Sequence, residues 1–374
     1  MIKATLVTPF PPQATGLAGY ARRILALTRA NVNWTVAIPS TAFPVEGYRC
    51  VPISGLGRED LSGAVVYQVG NSPHCEEVNE ALLAHGGGIG LFHETNLHHV
   101  IRNKAHRTGD WNSYREHVVH DYRGKTDEFL KVMGRKAESL SEYDTRLRNN
   151  PLVGKYLSAC RVIAVLSDTA KWKMERLAPG KKIVKIGFLP DFMKKVEKPE
   201  KQNSTLVIGV AGSFHYGRSW EDIVGAVEML RNSVDCRLLV VGGGWPETDI
   251  SWVEITGRLP ESEFRRQIGK FDIAIDLRHN TCGETSSSLM DILGRGIPAV
   301  VAAEGTFRDI HAGAVLRIPS ESGVFGAYAA LKYLAQNTKM RRSISLAAES
   351  YFADVSNEEK CLAQWLELLS GDRH

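Results

Sequence analysis

The chain has 374 residues, 43% of them apolar, more than one compact core usually holds, which predicts two α/β domains with a sizeable core each. Its formal charge of +4 is only mildly basic, and no Lys/Arg block is interleaved with aromatics in the way that tracks a nucleic-acid backbone, so nucleic acid is excluded as a partner. Six cysteines, at 50, 75, 160, 236, 282 and 361, show no CxxC spacing, which argues against a zinc site or a disulfide framework and for a reducing, cytoplasmic setting.

In chain order, the opening MIKATLVTPF has no basic segment followed by an apolar one, and no window approaches the ~20 apolar residues that span a bilayer. Any membrane contact is therefore expected to be peripheral, at the inner face of the membrane. Short apolar runs end at Gly, Pro or polar turns and are followed by segments of helical period, the pattern of βαβ units in a parallel sheet. The first half predicts strands over 2–8, 35–38, 65–69, 89–93 and 161–166, with helices near 18–30, 74–84 and 168–177. Residues 101–150 interrupt this rhythm with a long polar segment. Its composition predicts a solvated helical insertion, while the mix of Arg102, Lys104, Arg107, Trp111, Tyr114 and Arg115 also suits an acceptor-binding or membrane-surface lobe. The stretch LPDFMKKVEKPEKQNST (189–205) is charged, contains prolines and is weakly apolar, so it reads as a linker. Beyond it, strands are expected over 206–211, 236–241, 252–256, 273–276 and 299–301, and helices near 219–231, 261–269, 286–294 and 323–337. The fold class is α/β, with two successive Rossmann-like sets. The expected domains are 1–190, carrying the 101–150 insertion, and 206–350, with 351–374 as a closing helix.

Three stretches carry candidate chemistry. In TPFPPQATGLAGYARRIL (8–25), Gly16 and Gly19 stand at a helix start, where bare backbone and free N–H groups can meet a phosphate. The spacing is not GxGxxG, which counts against a nicotinamide site, and a plain tight turn stays open as a reading. In GIGLFHETNLHH (88–99), His93 ends a strand, where open α/β sheets present functional groups. The neighbouring Glu94, His98 and His99 do not reproduce HExxH, and no metal is expected. In FDIAIDLRHNTCGETSSSLMDILGRGIP (271–298), a strand ends near Asp276, a loop carries Gly283, Glu284 and Thr285, and Ser286 to Ser288 can cap a helix that holds Asp291. A carboxylate tolerated beside a phosphate-binding helix start points to a ligand with hydroxyl donors, as in a nucleotide sugar. An ordinary capped helix remains the alternative.

Taken together and in order, these stretches resemble glycosyltransferase family 4, retaining enzymes of the GT-B fold, over nearly the whole chain. PPQATGLAGYARRIL resembles the family's opening glycine loop, LFHE its acceptor-side histidine region, and VIAVLSDTAKWKMERL (162–177) the strand and helix that close its first domain. IGVAGSFHYGRSWEDIVGAVEML (208–230), RLLVVGGGW (237–245) and VEITGRLPESEF (253–264) follow its second domain, and YFADVSNEEKCLAQWLELL (351–369) resembles the helix that crosses back onto the first. The resemblance implies two Rossmann-like domains facing across a cleft. It implies transfer of a sugar from a nucleotide-diphosphate sugar to a glycan or lipid-linked acceptor, with retention of configuration and without metal or cofactor.

Carried over by residue, the resemblance implies that Gly16 approaches the donor diphosphate with Gly19 behind it, that His93 lies near the transferred sugar, and that Arg218 binds the diphosphate. It also implies Asp291 on the ribose and Gly257, Arg258 and Leu259 beside the base. Glu284, flanked by Gly283, Thr285, Ser286 and Ser287, would contact the donor sugar, and Gly212, Ser213 and His215 would form the loop opposite. The chain departs from the family where the usual arginine of the basic pair is Ser213, with His215 nearby as a further source of positive charge. It departs again where Glu284 falls one position late, in a GETS variant seen in polysaccharide-type members, and where the second acid is Asp291. These departures leave open a non-catalytic partner subunit and a nucleotide-sugar hydrolase or epimerase. Members of this type often build lipopolysaccharide or capsule.

Overall fold

Apolar runs such as AVVYQV (64–69) are buried at every position, as a parallel strand covered by helices on both faces requires. The computed structural model describes residues 1–13, 15–189, 205–279 and 281–371, so the expected linker lies outside the described residues except at its ends. The first part of the chain forms β1 (Ile2–Val7), α1 (Gly16–Thr28), β2 (Val32–Ile38), β3 (Arg49–Pro52), β4 (Ala64–Val69), α2 (Glu76–His85), β5 (Ile89–Phe92), α3 (His98–Thr108), α4 (Trp111–Asp121), α5 (Thr126–Met133), α6 (Leu140–Arg148), α7 (Gly154–Ala159), β6 (Val162–Val165), α8 (Asp168–Leu177) and β7 (Lys182–Lys185). The second forms β8 (Leu206–Ala211), α9 (Trp220–Arg231), β9 (Cys236–Val241), β10 (Val253–Ile255), α10 (Glu261–Ile268), β11 (Ile273–Asp276), α11 (Ser287–Gly294), β12 (Ala299–Ala302), β13 (Leu316–Ile318), α12 (Gly323–Gln336), α13 (Thr338–Val355) and α14 (Glu358–Gly371).

Among the described residues these strands make two parallel sheets, a seven-stranded one in the order β3-β2-β1-β4-β5-β6-β7 and a six-stranded one in the order β10-β9-β8-β11-β12-β13. In register, Leu6 of β1 lies between Val36 of β2 and Val66 of β4, and Ile208 of β8 between Leu238 of β9 and Ile273 of β11. Both orders reverse beside their first strand. In such doubly wound sheets the crevice at the carboxyl ends of the two central strands is where ligands bind, and it is flanked here by β1 with β4 and by β8 with β11.

Chain contacts divide the molecule into two units, Met1–Asp191 with Cys282–Thr285 and Ser356–His374, and Phe192–Thr281 with Ser286–Val355. The last helix, α14, belongs to the first unit and packs on α1 and β1, with Trp365 wholly buried and Gln364 accepting from the Gly187 N–H at 2.8 Å. The single closing helix expected over 351–369 is in fact two. α13 stays with the second unit to Val355, and Asn357 starts α14 by accepting the Lys360 N–H at 2.9 Å.

The 101–150 segment folds into the helices α3 to α6 with most of its residues exposed or half-buried, and Tyr114, Val118, Phe129, Met133 and Leu147 anchor it by joining the main apolar cluster of the first unit. The cations read as membrane-facing are engaged within the fold. Arg102 lies 5.7 Å from both the Trp111 and Tyr114 rings and donates to the Tyr143 hydroxyl, Lys104 and Arg107 pair with Glu80 and Glu76, and Arg115 is 3.5 Å from Asp127. Among the described residues no helix is long and apolar enough to cross a membrane.

Candidate functional site

In the first unit, Thr15 caps α1 by accepting the Leu17 N–H at 3.3 Å, which starts the helix at Gly16, two residues before the expected position. Open space surrounds the Gly16 Cα, so a ligand can come up to the backbone there. Gly19 is buried one turn on. His93 follows β5 and pairs through Nε2 with the Gln68 amide at 3.0 Å, while the Tyr20 ring meets it edge-on at 5.2 Å. Burial lowers its pKa to about 3, so the imidazole is neutral and offers one donor and one acceptor. His98 and His99 are satisfied locally. His98 bonds the Asn150 carbonyl at 2.6 Å and the Tyr114 hydroxyl at 2.9 Å, and His99 bonds Asp144 at 2.9 Å.

Beside His93 lies a group of charges, Glu94, Glu284 and Arg148, of which only Glu284 was expected from the sequence. Thr95 donates from both its backbone N–H (2.6 Å) and its hydroxyl (2.7 Å) to the Cys282 carbonyl, which fixes Cys282–Thr285 against the end of β5. Gly283 has φ +82°, and a Cβ there would sit 2.8 Å from the Thr95 methyl, so the turn demands glycine on both counts. The Glu284 carboxylate accepts the Cys282 N–H at 2.6 Å and lies 3.8 Å from the Arg148 guanidinium. Glu94 accepts the Asn71 N–H at 3.3 Å. Burial first, and the Glu284 charge second, push the Glu94 carboxyl up to about 7. Burial and the same Glu284 charge push the Cys282 thiol up to about 12, which leaves no thiolate nucleophile at neutral pH.

In the second unit, the turn after β8 and the turn after β11 share one buried network. Arg218 is only 2% exposed; it donates to the Ala211 carbonyl at 2.8 Å, lies 3.6 Å from Asp276 and sits 5.4 Å over the Trp245 ring. Arg278 donates to the same Asp276 carboxylate at 3.1 and 3.2 Å and to the Ser286 hydroxyl at 2.7 Å. Burial alone would raise the Asp276 pKa, but Arg218 and Arg278 outweigh it and hold the carboxyl below its usual range. Ser286 in turn caps α11 by accepting the Leu289 N–H at 3.2 Å, which leaves the first-turn N–H groups of Ser287 and Ser288 directed out of the helix start. Gly212, at φ +104°, lies against this network. A Cβ there would stand 3.0 Å from both the Arg218 guanidinium and the Ser288 hydroxyl.

The remaining expected residues are distributed as follows. Ser213 and His215 follow Gly212 in the turn between β8 and α9, and His215 adds positive charge near Asp276. Arg258 is exposed next to Gly257 (φ +68°), with its Cβ close to Gly243. Asp291 is buried within α11, one turn before the buried Arg295. Ser287 is exposed at the first position of α11, and Thr285 is half-buried. The first unit thus gathers Gly16, His93, Gly283, Glu284 and Thr285, and the second gathers Gly212, Arg218, Ser286, Ser287 and Asp291. The roles of Asp276, Arg278 and Arg148 and the raised pKa of Glu94 were not expected; the one local signal was DLR (276–278), charges placed straight after an apolar strand. Among the described residues no three His, Cys, Asp or Glu side chains converge as metal ligands.

No protein-family model matches the sequence, and no curated protein matches it in sequence. Solved structures match the fold from end to end. Sucrose-phosphate synthase from Thermosynechococcus elongatus superimposes with a TM-score of 0.67 at 13% identity, covering 99% of each chain. WaaG, a glycosyltransferase involved in lipopolysaccharide biosynthesis, superimposes at 0.61 and 12%, covering 99% of this chain and 100% of its own. HepE of Anabaena, solved with UDP and glucose, gives 0.59 and 11% with the same coverage. At such identities the likeness is one of fold, and the fold is GT-B: two parallel Rossmann-like sheets with the last helix returned to the first unit.

Proposed function

We propose that the protein is a glycosyltransferase that moves a sugar from a nucleotide-diphosphate sugar to a glycan or lipid-linked acceptor, with retention of configuration and without a metal. The observation that carries this reading is the capped start of α11, where Ser286 is held by Arg278 and Asp276, with Arg218 on the same carboxylate. Two guanidinium groups, one carboxylate and an open helix start leave net positive potential where a departing diphosphate gains charge. Gly212 keeps the backbone bare in front of Arg218, so the diphosphate feels that charge at short range.

In this reading the bond from the anomeric carbon to the diphosphate oxygen breaks, the acceptor oxygen forms its bond on the same face, and the acceptor proton leaves with the diphosphate. Neutral His93 and Glu284 hold sugar hydroxyls, Asp291 reads the ribose and Arg258 borders the base. The test is turnover. Purified protein with a panel of nucleotide sugars and glycan or lipid acceptors should release nucleoside diphosphate, with the new linkage keeping the donor's anomeric configuration by NMR. Inversion, or release that never depends on an acceptor, contradicts the proposal, and the latter outcome supports a hydrolase. A second reading, a non-catalytic partner subunit, is favoured by the deep burial of Arg218 and its bond to the Ala211 carbonyl. Tight donor binding with no turnover of any acceptor would select it.

A further inference from the structure

The segment HETNLHH (93–99) follows β5 and ties two distant stretches of chain to one point. On one side Thr95 clamps the Cys282 carbonyl. On the other, Asn96, only 2% exposed, donates its amide to the Leu147 carbonyl at 3.0 Å and the Arg148 carbonyl at 2.8 Å, and His98 holds the Asn150 carbonyl at 2.6 Å. These bonds satisfy carbonyls that the end of α6 would otherwise leave without partners. What they deliver is the Arg148 side chain. Its Nε donates to Asp144, one turn back in α6, at 2.7 Å, and its Nη1 lies 3.8 Å from both the Cys282 sulfur and the Glu284 carboxylate. Asp144 is fixed in turn by His99. Asn71 accepts the Val100 N–H on its amide oxygen, which leaves its NH2 group for His99 Nδ1 at 3.3 Å, so His99 Nε2 carries the proton donated to Asp144 at 2.9 Å. Burial alone would raise the Asp144 pKa, but His99 and Arg148 outweigh it and hold the carboxyl below its usual range. Leu147 already anchors α6 in the core. That anchoring gives no reason to place a guanidinium, its side chain 14% exposed, against the Cys282–Thr285 turn, since enclosing a charge is costly unless it is paired.

We propose, on the reading that Glu284 holds the transferred sugar, that Arg148 of the 101–150 insertion is a positioning residue that fixes the Glu284 carboxylate for the transfer. The two oxygens of that carboxylate face different partners. Oε2 accepts the Cys282 N–H at 2.6 Å and Oε1 faces Arg148, so the group is set in one orientation before a donor arrives. Arg148 acts through Glu284 and needs no contact with the substrate. Asp144 and His99 hold the guanidinium, and the insertion thereby serves the site rather than only covering the sheet.

The test is nucleoside diphosphate release from uridine, guanosine, adenosine and thymidine diphosphate sugars over a panel of glycan and lipid acceptors, with melting temperatures taken in parallel. Arg148→Met should lower kcat about tenfold or more while donor KM moves less than about threefold, because the donor still binds but the carboxylate that meets its sugar is misplaced. Asp144→Asn, which keeps Arg148 but loosens its hold, should give a smaller loss of the same kind. Glu284→Ala should lose at least as much as Arg148→Met, and the double variant of the two should be no worse than Glu284→Ala alone, since Arg148 acts only through that carboxylate. A helix that merely lost packing would instead lower the melting temperature and multiply the two losses. If Arg148→Met does not fold, the same cycle run with Asp144→Asn decides. Wild-type kcat in Arg148→Met, or multiplied losses in the double variant of an active enzyme, overturns this role alone. A wild type idle with every donor and acceptor overturns the glycosyl-transfer reading and this role with it.

Discussion

Glu94→Gln replaces a half-buried carboxyl that sits beside Glu284 with an amide of the same shape. The pKa of Glu94 is raised from 4.5 to about 7, and such a displacement corresponds to about 3 kcal/mol between folded and unfolded chains. The sign follows from proton binding. Below pH about 4.5 the carboxyl is protonated in both states, and its neutral form is well accommodated. As pH rises towards 7 the unfolded chain gives up its proton while the folded chain keeps it, so stability falls, and the loss is complete once Glu94 ionises above its folded pKa. The amide has no proton to lose. Melting temperatures of wild type and Glu94→Gln should therefore diverge steadily from pH 5 to pH 8, with the variant the more stable at the upper end. Because the Glu284 charge is part of the cause, Glu284→Gln should shift the wild-type transition to lower pH. Parallel pH profiles for wild type and Glu94→Gln would refute the assignment of a proton to Glu94.

Asp276→Asn removes the carboxylate shared by Arg218 and Arg278 and should cost about 3–5 kcal/mol, the usual penalty for breaking a buried ion pair, read as a lower urea midpoint. Because the Asp276 pKa is depressed, its contribution is complete above pH about 4 and is lost only as pH falls through the lower folded value, so the variant and wild type should converge in strong acid. Ser286→Ala deletes the α11 cap and an Arg278 partner, with an expected cost of about 1 kcal/mol by thermal melting and a larger loss in donor affinity by calorimetry. Gly283→Ala forces a side chain into left-handed backbone and against Thr95, and should destabilise by about 1–3 kcal/mol while displacing Glu284.

Strands covered on both faces were legible because such burial leaves unbroken apolar runs. The expected bounds 206–211, 236–241 and 273–276 coincide with β8, β9 and β11. Of the four outer strands, β10 was expected (252–256) but RCVP (49–52), KIVK (182–185) and LRI (316–318), short and only partly buried, were not. The insertion was legible as helical but its anchoring residues were not. Its core residues are spread one or two to a helix among charges, so Phe129, Met133 and Leu147 form an apolar face only once α5 and α6 are packed. Glycines and serines of the two turns could be placed from sequence, because local backbone chemistry dictates them. The Asp276–Arg218–Arg278 network and the Glu94–Glu284 pair could not, because each joins residues remote in sequence whose charge states depend on shared burial.

The central claim, a donor site for nucleotide-diphosphate sugars, is tested most directly by thermal shift of the purified chain against uridine, guanosine, adenosine and thymidine diphosphate sugars. A ligand at a hundredfold excess over its Kd stabilises the folded chain by about 2.7 kcal/mol, a shift of several degrees. The account predicts such a shift with sugars of one base, greatly reduced in Asp276→Asn and Ser286→Ala. No shift with any nucleotide sugar, or equal shifts in wild type and both variants, would contradict it.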